Sequence, residues 1–151
     1  MNIRRSVCLA LGGLLLSGLA CNTLVPVATP LPSEVPDPDE CDASRATVSV
    51  TADANDTTVT LGPGDTLAIT LASNATTGFE WTVLTINPDL LRYDGKSYNS
   101  PLSVMPGAGG SESLCFTALA PGASRLAVIY HRPFEAGIPP IETFPLTVEI
   151  K

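Results

Sequence analysis

Beyond residue 43 the apolar residues recur at every second position in short runs, and this period limits the fold more than any other feature of the chain. Val48 and Val50, Val59 and Leu61, Leu67 to Leu71, Phe79 to Val83, Leu114 to Ala118, Leu126 to Tyr130, and Phe144 to Ile150 each read as one face of a strand. Extended backbone points successive side chains to opposite sides, so each run presents a single apolar surface. Turn residues punctuate them: Gly62-Pro63-Gly64-Asp65 is one such break and Asn74 to Gly78 another. Pro88 to Tyr93 reads as a short turn or helix that Asp94-Gly95 interrupts, and no convincing helical stripe lies beyond the N-terminal segment. The expected architecture is all-β, about seven short strands in two antiparallel sheets that close a sandwich.

The N-terminus is built differently. Arg4 and Arg5 precede an apolar stretch from Val7 to Leu16 and small residues at Ser17, Gly18 and Ala20, the layout of an export signal over residues 1–20. Such a stretch is shorter than the roughly 20 residues of a spanning helix. Leu15-Leu16-Ser17-Gly18-Leu19-Ala20-Cys21 resembles the lipobox of bacterial lipoproteins. That resemblance implies lipidation of Cys21, a membrane partner reached through an N-terminal lipid, and a location at a bacterial cell membrane or outer membrane; plain signal cleavage is the alternative. One acyl chain binds a bilayer only marginally, so a durable anchor needs several. Five prolines, at 26, 30, 32, 36 and 38, and the acidic Asp37, Asp39, Glu40 and Asp42 then make residues 21–43 a stiff, solvated tether. The folded domain is expected over 44–151.

Charge and the scarce reactive residues narrow function. With 15 acidic against 8 basic residues the chain carries a formal charge of -7, which disfavours nucleic acid as a partner. One histidine, His131, excludes multi-histidine metal centres, so no metal or cofactor is expected, and His131 itself reads as an exposed strand-end residue. Of four cysteines, Cys8 lies in the signal and Cys21 at its processing point. Cys41 and Cys115 remain, either as a disulfide clamping the tether to the domain or with Cys115 as a nucleophile that only His131 could serve.

Three segments carry the functional signal. They are Asn74-Ala75-Thr76-Thr77-Gly78-Phe79-Glu80-Trp81, then Pro106-Gly107-Ala108-Gly109-Gly110, then Arg132-Pro133-Phe134-Glu135. Each alone is also what a sound strand connection contains. In this order and spacing they resemble the signature segments of the chagasin-like inhibitors of papain-family cysteine peptidases, and with the strands the resemblance covers about residues 45 to 150. It implies an immunoglobulin-like β-sandwich, monomeric and not an enzyme, whose loops enter the peptidase cleft as a blunt wedge and inhibit reversibly.

By the same resemblance Asn74 to Phe79 lie nearest the target's catalytic cysteine, Gly107 to Gly110 flank them, and Arg132, Pro133 and Phe134 cover the other side. The residue types agree. Thr76 and Thr77 offer short hydroxyl and methyl contacts, Gly78 permits a turn closed to bulkier residues, and Asn74 can brace the loop. Gly107, Gly109 and Gly110 allow close backbone approach, and Phe134 is the aromatic anchor. Ala75 stands where relatives often carry proline and Phe134 where many carry tryptophan, which implies a less pre-organised central loop and a smaller anchor. Glu80, Glu112, Glu135 and Arg132 are expected on the rim, while Trp81 and Tyr130 are expected to support the loop roots. A tethered adhesion or assembly module on the same sandwich is the other reading.

Overall fold

In a computed structural model of the chain, residues 41–100 and 107–151 are described. The signal, Cys21 and nearly all of the tether lie outside them. Eight strands follow in order: β1 (Val48–Val50), β2 (Thr58–Leu61), β3 (Thr66–Ser73), β4 (Glu80–Thr85), β5 (Leu91–Asn99), β6 (Gly110–Ala118), β7 (Gly122–His131) and β8 (Glu142–Ile150). They form two four-stranded sheets, β1-β3-β6-β5 and β2-β8-β7-β4. The sandwich expected from the two-residue period is present. Its sheets are mixed rather than antiparallel, because β1 runs parallel to β3 and β2 parallel to β8.

The alternating residues meet between the sheets. Leu67, Ile69, Leu114 and Phe116 from one sheet and Leu126, Val128, Leu146 and Val148 from the other are buried in one core with Trp81. Their parity fixes the register, since a slip of one residue would turn every one of them outward. Positions of opposite parity to the core residues of the first sheet make a second, smaller cluster on its outer face, where Ala68 lies against Cys41 and Cys115. Those two cysteines are joined as a disulfide, with Cα atoms 5.3 Å apart. Cys41, read with the tether, is therefore buried on the domain, and a 3-10 turn at Ala43–Arg45 follows it.

Strand β5 departs from the sequence reading. The turn after Pro88 is real, with Leu90 and Leu91 N–H donating to the Asn87 carbonyl and Asp89 N–H to its side chain. Asp94-Gly95, however, does not end the extended run. The register shifts between Tyr93 and Gly95, so the strand bulges and continues to Asn99. Gly95, at φ 114°, supplies a backbone angle that side-chain-bearing residues avoid, and bulges of this kind bend an edge strand without ending it. Thr117 Oγ1 donates to Asp94 Oδ2 at 2.5 Å and holds the bulge to β6.

Candidate functional site

Strand register brings three connections to one end of the sandwich. Ser73, the last residue of β3, pairs with Gly110, the first of β6. Asn99 at the end of β5 pairs with Ser111, and Glu80 at the start of β4 pairs with His131 at the end of β7. The β3–β4 crossover, the β5–β6 hairpin and the β7–β8 hairpin therefore all leave the same edge. These are the connections carrying Asn74–Phe79, Gly107–Gly109 and Arg132–Phe134, with Gly110 opening β6.

The central segment is a 3-10 turn over Ala75–Thr77, closed by Gly78 in the left-handed region at φ 77°. Asn74 organises it, because its Oδ1 accepts from Thr76 N–H at 3.2 Å and from Thr76 Oγ1 at 2.7 Å. Thr77 Oγ1 donates to the Asn74 carbonyl at 2.6 Å. Both threonine hydroxyls thus place their protons inside the turn; Thr77 Oγ1 also accepts from Phe79 N–H at 3.5 Å, whereas Thr76 Oγ1 keeps its acceptor lone pairs free, and Ala75, Thr76 and Thr77 stay exposed.

Direct contacts tie the neighbouring loops to this turn. Asn74 Nδ2 donates to the Gly107 carbonyl at 3.3 Å, and a Cβ added at Gly109 would stand 3.4 Å from the Ser73 carbonyl. A Cβ at Gly110 would collide with the Asn99 carbonyl. Two of these glycines therefore serve approach within the molecule, and Ala108 beside them is half-buried. Arg132 Nε donates to the Thr77 carbonyl at 3.1 Å, its guanidinium lies 4.4 Å from the Phe79 ring centroid, and its NH1 pairs with Glu135 at 2.8 Å. Phe134 is 71% exposed, yet its ring edge is so close to Gly78 that an added Cβ there would be 3.1 Å away. Pro133 beside it is exposed as well.

Beneath the loops an aromatic stack sets their positions. Tyr130 lies 5.0 Å from Trp81 and 5.3 Å from Phe79, centroid to centroid. Its hydroxyl accepts from Asn74 N–H at 2.9 Å, and the Trp81 indole N–H donates to the Ala72 carbonyl at 2.9 Å. Tyr130, expected under the third loop, thus holds the central turn as well.

Glu112 corrects the rim reading. It shares parity with Leu114 and Phe116, so its side chain enters the space between the sheets, where it is buried. There Oε2 accepts from Ser73 Oγ and from Trp81 N–H, both at 2.9 Å, and Oε1 lies 3.4 Å from Lys96 Nζ. Lys96 also donates to Glu80 Oε2 at 2.9 Å and to the Trp81 carbonyl at 3.2 Å. Burial pushes the Lys96 ammonium down, but its hydrogen bond to Glu80 and the two carboxylate charges prevail and hold it above the ordinary lysine value. This network joins the open edge of β4 to the other sheet under the central turn. The even parity of Glu112 could have revealed it; Lys96 was hidden by the misread Asp94-Gly95.

His131 is half-buried rather than exposed, because β7 is an interior strand flanked by β4 and β8. Its Nε2 has no hydrogen-bond partner among the described residues. Cys115 lies in the other sheet and is oxidised, so no thiol and imidazole pair forms. Among the described residues no three or more of His, Cys, Asp and Glu are grouped to hold a metal ion.

Residues 60–148 match the family described as Chagasin family peptidase inhibitor I42. The chain is 36% identical over 90 residues to chagasin of Trypanosoma cruzi, covering 56% of this chain and 81% of that one. It is 28% identical over 89 residues to amoebiasin-1 of Entamoeba histolytica, covering 58% and 84% respectively. The crystal structure of the cysteine protease inhibitor EhICP2 from Entamoeba histolytica shares the fold, with a TM-score of 0.62 at 20% identity over 70% of this chain and 98% of that one. A match of this extent, on a two-sheet sandwich whose three signature segments share one edge, makes the chain a member of the chagasin family of peptidase inhibitors.

Proposed function

We propose that this protein is a reversible inhibitor of papain-like cysteine peptidases that obstructs the active-site cleft with Asn74–Phe79, Gly107–Gly110 and Arg132–Phe134. The observation that carries the reading is the mutual bracing of the three segments at one edge: Asn74 reaches Gly107, and Arg132 reaches Thr77. Loops fixed by folding lose little further freedom on binding, so contact free energy is retained as affinity. The exposed Phe134 supplies a central apolar anchor, and Ala75 to Thr77 present a narrow tip with hydroxyl acceptors. The mechanism is steric exclusion of substrate. It involves no covalent step, no catalytic residue and no cofactor.

Export and lipidation at Cys21 complete the proposal, with residues 21–40 holding a monomeric inhibitor off the membrane that carries it. Mass measurement of the mature N-terminal peptide tests this part, since an unmodified Cys21 would remove the anchor. Inhibition is tested by titrating the soluble domain against an active papain-like peptidase. A saturable one-to-one loss of activity that returns on dilution is expected; full activity across several such peptidases would overturn the reading.

A further inference from the structure

Between the central turn and the third loop runs a groove of about 340 Å³, walled by Ala75, Gly78, Phe79, Pro133 and Phe134, with Tyr98, Glu80 and Glu112 completing its lining. A space of this size accepts one long side chain. Three of its walls are aromatic and two of its lining groups are carboxylates.

The charges around it do not cancel. Glu80 and Glu112 together face the single ammonium of Lys96, which leaves one negative charge. Arg132, the next cation, is committed to Glu135. Both oxygens of Glu112 have partners, whereas Glu80 engages Lys96 through Oε2 and keeps 41% of its side chain exposed. An apolar guest would cover that carboxylate without replacing its water, and an acidic guest would be repelled. A guest with an alkyl or planar stem and a positive head fits both the aromatic walls and the free oxygen.

We infer that this groove is a specificity pocket for a lysine or arginine side chain on the rim of the target peptidase's cleft. The inference rests on the inhibitory reading above. Phe134 and Tyr98 would flank the stem and Glu80 would take the charged head, so peptidases with a basic rim residue there are favoured over those without one.

The test compares wild type and Glu80→Gln against one papain-like peptidase and against forms of it in which rim lysines and arginines are replaced singly by methionine. Glu80→Gln is expected to raise Ki about tenfold and to weaken its dependence on ionic strength. One rim replacement should raise the wild-type Ki to a similar degree, and Glu80→Gln should add nothing on top of it. If Glu80→Gln fails to fold, judged by thermal unfolding, the rim replacements measured with wild type decide alone. A wild type that inhibits strongly while every rim replacement leaves Ki unchanged overturns the pocket and spares the inhibitor reading. A rim replacement that raises the Ki of Glu80→Gln as much as that of wild type also overturns it. A wild type that inhibits nothing defeats the inhibitor reading itself.

Discussion

Single residues carry sharply different duties at this edge, and substitution should separate them. Phe134 is exposed and bears little of the fold, so Phe134→Ala is expected to leave the unfolding temperature nearly unchanged while raising Ki about thirtyfold or more, as a lost interface anchor does. Gly78→Ala has two faults, a left-handed backbone angle and contact with the Phe134 ring, and should weaken inhibition by displacing both loops. Trp81 is 3% exposed within the core. Trp81→Ala should therefore cost about 3–5 kcal/mol in denaturant unfolding, with inhibition failing only as the fold does. The core position of Trp81 was legible from its parity. Glu112 was not, because composition places a carboxylate outside unless its register is followed into the core.

At the scale of elements, the β4 edge decides whether the central turn has a fixed root. Among the described residues β4 pairs only with β7, so no backbone ladder closes that edge, and Glu112 and Lys96 substitute for it. Glu112→Ala leaves Trp81 N–H and Lys96 without their carboxylate and should destabilise by about 3 kcal/mol in denaturant unfolding. The Lys96 value lies above its unfolded one, so the stability it lends is intact below the ordinary lysine range and is lost as pH rises through the higher folded value. A thermal unfolding series through the alkaline range should show this fall in wild type and a flatter profile in Lys96→Met. Strand β5 was missed because glycine after aspartate signals a turn in sequence, whereas here the same pair makes a bulge that Thr117 secures. The parallel pairings of β1 and β2 were equally hidden, since alternation fixes which face a residue takes and not which way its neighbour runs.

For the whole molecule, two linkages set what the sandwich can do. The Cys41 to Cys115 bond closes 74 residues of chain on the outer face of one sheet, and its reduction should lower stability by about 2–4 kcal/mol without abolishing inhibition. The other linkage is the shared edge of three loops from both sheets, which the order of motifs suggested and strand register explains. Whether they act as one plug is measured most directly by hydrogen exchange in the free protein and in its complex with a papain-like peptidase. Amides of residues 74–79, 107–110 and 132–135 should slow together on complex formation, while those of β1 and β2 stay unchanged. Protection confined to one loop, or centred on an outer sheet face, would contradict the account.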